Sequence, residues 1–309
     1  MLPLGGRVVL ITGASSGVGA AACVAFARAG ADVALVARDP DALERAAAPV
    51  RALGRRALVL PADVADAEAI AEAVRRCEQE LGGLDVLVPN AAATIYGRFA
   101  DVEARDAERV MAVTYGGAVN VIRAALPGLT SSRGAIVATG SLMAKLPLPG
   151  WSSYAAAKHA LRGFLGTLRV ELAAEGSPVS VSMVHPGAID TAVWTTTTTA
   201  KGVLPRTPPE GYHPSVVARA LVACAIHPRA EVTIGLSTKA TELLFTFAQP
   251  LGDVALRAVH RYYRSGRRRA GPGMLWRPVP RGGAPRRHMV GRRSYWAPLR
   301  LARGYRAGR

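Results

Sequence analysis

Tyr154 and Lys158 stand four residues apart in Tyr154-Ala155-Ala156-Ala157-Lys158, and Ser141 lies thirteen residues before the tyrosine. On a helix, positions i and i+4 share a face, so the phenol and the ammonium come within reach of one another. A phenol titrates near ~10 in isolation, too high for efficient proton exchange at neutral pH. A fixed cation beside it favours phenolate and lowers that value. Tyr154 is thereby a candidate general acid or base toward a reacting oxygen, and the Ser141 hydroxyl can hydrogen-bond the same oxygen. A tyrosine–lysine pair at this spacing is common on its own. Its meaning depends on what the chain places beside it.

A second constellation lies near the N-terminus, in Thr12-Gly13-Ala14-Ser15-Ser16-Gly17-Val18-Gly19. Glycines at such a turn let the backbone bend tightly, approach a pyrophosphate and pack a helix closely on a strand. The N–H groups and dipole of the following helix then favour phosphate. The turn predicts a dinucleotide site built from Gly13, Ser15, Ser16, Gly17, Val18 and Gly19. A fold of this kind that takes NAD usually carries a carboxylate at the end of the second strand. Here that strand ends Val36-Ala37-Arg38-Asp39. The Arg38 guanidinium can pair bidentately with a 2′-phosphate, which favours NADP, and Ser15 or Ser16 can add a hydroxyl. Asp39, on the ribose of NAD, is the rival. Asp63 and Val64 are expected at the adenine, and Asn90, Ala91 and Ala92 along the cofactor. An oxidised nicotinamide would add its positive charge to that of Lys158 beside Tyr154.

The elements that must position these residues alternate along the chain. Strands are predicted at Arg7–Thr12, Ala31–Ala37, Ala57–Leu60, Leu84–Val88, Ala135–Thr139, Val179–Val184 and Glu231–Ile234. Helices are predicted at Gly17–Ala29, Asp41–Leu53, Asp66–Leu81, Ala104–Leu126, Ser152–Glu175 and Pro214–Ile226. This alternation predicts an α/β fold, a Rossmann-like doubly wound parallel sheet of about seven strands with helices on both faces. Ala192–Tyr212, with five successive threonines and then Pro205, Pro208 and Pro209, is long for a connection and reads as a substrate lid. Thr241–Tyr263 reads as two short amphipathic helices broken at Pro250 and Gly252.

In these motifs, their order and their spacing the chain resembles the short-chain dehydrogenase/reductase family, in its compact single-domain branch. The resemblance runs from about Leu4 to Leu236 and rests on Thr12–Gly19, Asn90-Ala91-Ala92, Ser141, Tyr154 with Lys158, and Pro186-Gly187-Ala188-Ile189-Asp190-Thr191. It implies hydride transfer between nicotinamide C4 and a carbonyl or alcohol carbon, with Tyr154, Lys158, Pro186, Gly187, Ile189 and Thr191 toward the cofactor. Ile189 and Thr191 take the positions that hold the nicotinamide carboxamide. It also implies a small-molecule carbonyl or alcohol substrate and a homodimer or homotetramer built on the two long helices. One position departs: Val113-Thr114-Tyr115-Gly116-Gly117 has Thr114 where the family usually has an asparagine that helps a water link the lysine to solvent. Thr114 is retained as a catalytic candidate. Asn120, on another helix face, is a poor replacement.

Composition narrows the remaining classes. The 309 residues carry a net charge of +17, but Met1–Asp253 is nearly balanced and Val254–Arg309 holds 16 arginines and no acid. The body therefore has no fold-wide nucleic-acid surface. The chain divides into a catalytic domain over residues 1–236, a helical segment over 237–264 and an Arg/Gly/Pro-rich tail over 265–309, expected to be disordered. Contact of that tail with an anionic surface is one possibility; a composition set by coding bias is another. Cys23, Cys77 and Cys224 are too scattered for a disulfide framework. The six histidines form no ligand set, so no metal is expected. No signal segment or apolar run of ~18 residues is seen, and a cytoplasmic location is expected. Trp151 and Trp194, with the Leu146–Leu148 loop, suggest an apolar substrate pocket. The reading is an NADP(H)-dependent oxidoreductase. Its rivals are an NAD-dependent alcohol dehydrogenase and a non-catalytic NADP-binding regulator with a basic tail.

Overall fold

The computed structural model describes residues 2–208, 211–264, 266–268 and 273–278. Its centre is a seven-stranded parallel sheet: β1 (Val8–Thr12), β2 (Asp32–Ala37), β3 (Ala57–Pro61), β4 (Val86–Val88), β6 (Ala135–Thr139), β7 (Ser180–Pro186) and β9 (Glu231–Ile234). The order across the sheet is β3-β2-β1-β4-β6-β7-β9. β1, β4 and β6 are buried along their whole length, as continuous apolar strands must be when helices cover both faces. Seven predicted strands are present, with ends shifted by a residue or two.

Helices α1 (Gly17–Arg28), α2 (Pro40–Ala52) and α8 (Pro214–Ile226) bury Phe26, Leu43, Val50, Val217 and Leu221 against one face. On the other face α3 (Ala67–Leu81), α4 (Ala104–Met111), α5 (Gly117–Ser132) and α6 (Ser152–Ala174) bury Ile70, Val110, Val121, Leu129 and Leu161. Asp39 and Asp66 start α2 and α3 by accepting from the backbone N–H of Ala42 and Ala69, both at 3.0 Å. Strand order reverses at β1 and β4, which opens a crevice beyond their carboxyl ends. Thr12, Asn90 and Ser141 all lie at that edge.

Four features differ from the sequence expectation. The helix predicted at Ala104–Leu126 is interrupted by a π-helical turn, Ala112–Gly116, before α5 continues to Ser132. An inserted residue of this kind shifts the apolar pattern by a single position, too little to stand out in a run of this length. Among the described residues, Ala104–Ser132 is also long and apolar enough to cross a membrane by length and composition; Arg123 interrupts its run in the sequence, and its apolar side joins the core. The lid contains α7 (Val193–Thr196) and β8 (Thr198–Thr199), which pairs with β5 (Ile95–Tyr96). The C-terminal helices α9 (Leu236–Phe247) and α10 (Gln249–Arg264) break at Ala248, ahead of Pro250, since proline is accommodated in a first helical turn.

The tail differs as well. Arg267 and Arg268 lie against the lid, through a Leu204 N–H bond to the Arg267 carbonyl at 2.9 Å and a bridge between Val203 and Arg268. Gly273–Pro278 returns to the body. The disorder expected over 265–309 therefore does not extend to these residues, and the rest of that stretch lies outside the described residues.

Candidate active site

One cleft of about 340 Å³ runs along the carboxyl edge of the sheet. Gly13, Ser15, Ser16, Gly17 and Val18 form one wall, Arg38, Asp63 and Val64 one end, and Asn90 and Ala91 its floor. Ser141, Tyr154 and Lys158 stand toward the other end, beside Pro186, Gly187, Ile189 and Thr191. Residues scattered from Gly13 to Thr191 thus meet in one place. Two predicted residues, Gly19 and Thr114, do not line it.

Gly19 works from beneath the turn. A Cβ there would strike the Gly13 carbonyl and come within 2.8 Å of Asn90 Nδ2. Gly13 and Gly17 hold φ of +65° and +54°, the left-handed region that favours glycine. Asn90 Nδ2 donates to the carbonyls of Thr12 and Gly13 at 3.0 and 3.3 Å. The Thr12 hydroxyl accepts from the N–H of Asn90 and Ala91 at 3.0 and 3.1 Å. Asn90 and Thr12 therefore shape the turn. Ser16 precedes α1 in extended conformation and makes no side-chain cap bond, so the helix N-terminus keeps its N–H groups for a ligand.

At the adenosine end the rivals Arg38 and Asp39 both line the cleft, and one Asp39 carboxylate oxygen also caps α2. Asp63 accepts from the Ala65 N–H at 3.0 Å and forms an ion pair with Arg109, a residue the sequence reading passed over. Burial opposes ionisation of Asp63, but the Ala65 bond and Arg109 hold its carboxyl below the usual range.

At the other end, the Ser141 hydroxyl bonds the Tyr154 phenol and also accepts from the Met143 N–H at 3.1 Å. Lys158, only 2% exposed, donates to the Thr139 carbonyl at 2.8 Å, with its Nζ 5.8 Å from the centre of the Tyr154 ring. Burial pushes the Tyr154 phenol up to about 12, opposed by the Ser141 bond. Burial likewise lowers Lys158 to about 8. Among the protein's own groups desolvation dominates both shifts, because it disfavours both charged forms at once.

Thr114 sits fully buried in the π-helical turn. Its hydroxyl accepts from the Ala93 N–H at 3.0 Å and donates to the Ala93 carbonyl at 3.1 Å. It clips the loop after β4, and the side chain does not line the cleft. Asn120 donates to the Val64 carbonyl at 3.0 Å. His159 turns back onto the Ala155 carbonyl, 2.9 Å away.

His185 was counted in the sequence only as one of six scattered histidines. It is fully buried, and its Nδ1 donates to the Ser141 carbonyl at 3.1 Å. Nε2 faces Glu231 at 3.5 Å. His185, Arg162 and Lys145 hold the Glu231 carboxyl well below the usual range against burial. Lys145 also binds Glu242 at 2.9 Å. Burial opposes that carboxylate too, yet Thr233, Lys145 and Lys239 hold it at about 2. This ionic cluster braces the loop that carries Ser141. Only the fold brings its members together.

The substrate side is aromatic. Trp151 packs at 5.2 Å on Tyr96 and 6.2 Å on Trp194, and Trp194 stacks on Tyr263 of α10 at 6.1 Å. Trp151 and Trp194 line the cleft with Met143 and Val193. They serve as scaffold and wall at once. The three cysteines are buried and free, with Cys77 and Cys224 thiols pushed up to about 12 and 11 by burial. Among the described residues no cluster of His, Cys, Asp or Glu has a metal-holding arrangement.

Comparison with known proteins places this geometry. Residues 7–202 match the short chain dehydrogenase family. The chain is 34% identical over 247 residues to the putative oxidoreductase SadH of Mycobacterium tuberculosis, covering 77% of this chain and 90% of that protein. The alcohol dehydrogenase of Thermococcus sibiricus, solved with 5-hydroxy-NADP, superposes with a TM-score of 0.65 at 28% identity, over 74% of this chain and 95% of that one. A short chain dehydrogenase/reductase from Burkholderia phymatum in complex with NAD shares the fold, with a TM-score of 0.72 at 23% identity over 81% and 96% of the two chains. With its glycine turn, its strand-end serine and its tyrosine–lysine pair on one cleft, the chain belongs to the short chain dehydrogenase family and is an oxidoreductase on a nicotinamide-dinucleotide-binding Rossmann fold.

Proposed function

We propose that this oxidoreductase uses NADP(H) to interconvert an apolar carbonyl compound and its alcohol. The observation that carries the reading is the convergence of Ser141, Tyr154 and Lys158 on a cleft whose far end is lined by Arg38. The cleft fits a dinucleotide: a Cβ at Gly13 would meet Ala91 Cα at 2.8 Å, one at Gly19 would strike the turn itself, and the α1 N-terminus is uncapped by Ser16. Gly13–Val18 would hold the pyrophosphate, Arg38 the 2′-phosphate, and Ile189 and Thr191 the nicotinamide amide. Bound there, the nicotinamide supplies or accepts the hydride and, when oxidised, a positive charge.

The chain's own residues handle the proton. Tyr154 is kept protonated by burial, which suits a general acid that gives its Oη proton to the substrate oxygen in reduction. Ser141 donates a hydrogen bond to that oxygen, and the His185 contact fixes the backbone that carries it. Lys158, at about 8, can change charge near neutral pH and adds its field to Tyr154 as the proton leaves. Trp151, Trp194 and Met143 exclude water from the reacting carbon and select an apolar substrate. A homodimer or homotetramer on α5 and α6, and a cytoplasmic location, complete the proposal.

For the cofactor, Asp39 spends one carboxylate oxygen on the α2 cap while the Arg38 guanidinium is the group in the lining suited to a 2′-phosphate, which supports NADP over the NAD alternative. Thermal-shift and binding titrations with NADPH and NADH side by side test this. Arg38→Ala should weaken NADPH relative to NADH by about tenfold or more, the loss of charge-assisted hydrogen bonds to a phosphate. Equal losses would refute the 2′-phosphate role and transfer the preference to NAD.

A further inference from the structure

The adenosine end of the cleft already holds a piece of the chain itself. Arg38 Nη2 donates to the Met274 carbonyl at 2.8 Å, and Nη1 to the carbonyls of Leu275 and Trp276, both at 3.2 Å. Leu275 is 1% exposed and joins the hydrophobic cluster that contains Leu60, Val64 and Val113. Trp276 places its ring 5.5 Å from the guanidinium of Arg109, the partner of Asp63, and its Nε1 donates to Asp106 at 2.7 Å. Three bonds tie the segment to the lid: Met274 N–H to the Thr196 carbonyl at 3.1 Å, Thr196 Oγ1 to Met274 Sδ at 3.1 Å, and Leu275 N–H to Thr198 Oγ1 at 3.2 Å.

We propose that Gly273–Pro278 is an internal ligand of the dinucleotide cleft, seated where the cofactor's adenosine end binds and expelled when the cofactor enters. The proposal rests on the dinucleotide reading of this cleft and holds for either nicotinamide cofactor. The two occupants need the same groups. The tail offers three carbonyl dipoles to the guanidinium that a 2′-phosphate would engage, and Leu275 covers the Val64 side expected to take adenine. Either cofactor displaces the segment at sufficient concentration because both need the same space, and a 2′-phosphate adds charge-assisted bonds to Arg38 that are stronger than those to a carbonyl. The segment is an apolar and aromatic triplet, Met274-Leu275-Trp276, within an otherwise Arg/Gly/Pro-rich stretch. Its ties to Thr196 and Thr198 link the loading of cofactor to release of the substrate lid.

The test compares the full-length chain with a Leu275→Ser/Trp276→Ser double variant, which removes the apolar anchor without adding charge. A seated tail reduces apparent affinity by the fraction of molecules left open, so the variant should bind NADPH and NADH more tightly by one common factor, about tenfold or more. Unchanged or weaker binding of both would overturn the proposal, the weaker result marking the segment as a clamp on the bound cofactor. In the unmodified chain, saturating NADPH should speed hydrogen exchange at the Met274 and Leu275 amides. Protection that stays or increases would overturn it as well. Absence of binding of either nucleotide to either protein would refute the dinucleotide reading itself, whereas equal binding to both proteins refutes only the tail's role.

Discussion

At the scale of single residues, the active centre consists of groups held away from their ordinary ionisation. Burial lowers Lys158 from 10.5 to about 8, so the unfolded chain binds the proton more readily between those values. Folding stability from this group therefore rises with pH across that window, and below pH 8 its full penalty is present. Lys158→Met removes the titration. Between pH 7 and 10.5 the unmodified chain should gain about 3 kcal/mol relative to that variant in urea denaturation. A difference that stays constant with pH would show that the lysine is not desolvated. Tyr154, raised from 10 to about 12, contributes in the opposite sense above pH 10, but equally in both proteins. The meeting of Ser141, Tyr154 and Lys158 on one cleft was legible in the sequence because their spacing is local. His185 was not, since its partner Glu231 comes from the neighbouring strand and the Ser141 carbonyl lies 44 residues away.

At the scale of elements, the site depends on how closely α1 crosses the turn after β1. Gly19 lies inside α1 with no room for a side chain, against the Gly13 carbonyl and Asn90. Gly19→Ala should cost about 1–3 kcal/mol through overpacking despite alanine's better helix propensity. It should also weaken dinucleotide binding by about tenfold or more, since the turn must shift and 1.4 kcal/mol is one decade. Unaltered melting and binding would show that the contact is slack. Alternation of apolar runs was enough to find the seven strands of the main sheet, and the spacing of glycines the turn after β1. The two-residue strands β5 and β8 were too short to show. The π-helical turn at Ala112–Gly116 was hidden because one extra residue in a helix leaves the pattern of apolar residues nearly intact. Thr114 was consequently placed by likeness to the family, and the structure turns its hydroxyl onto Ala93.

At the scale of the molecule, one cleft carries two separable tasks. In the proposed reading the end around Gly13, Arg38 and Asp63 binds, and the end around Ser141, Tyr154 and Lys158, on the same cleft, performs chemistry. The C-terminal residues close over both: Tyr263 stacks on Trp194 at the substrate end, and Leu275 sits against the core at the adenosine end. Composition alone marked the tail as an unstructured cation, because Met274, Leu275 and Trp276 are too few to alter its average. Substitution of Tyr154 by phenylalanine separates the two tasks directly, since it deletes the proton carrier and keeps the ring that packs beside Lys158. NADPH binding and turnover of an apolar ketone should be measured in parallel on Tyr154→Phe and the unmodified chain. Turnover should fall by about 10²–10⁴-fold, the usual contribution of a positioned acid, with NADPH affinity unchanged. Turnover that survives the substitution undiminished would contradict the assignment of Tyr154 as the group that moves the proton.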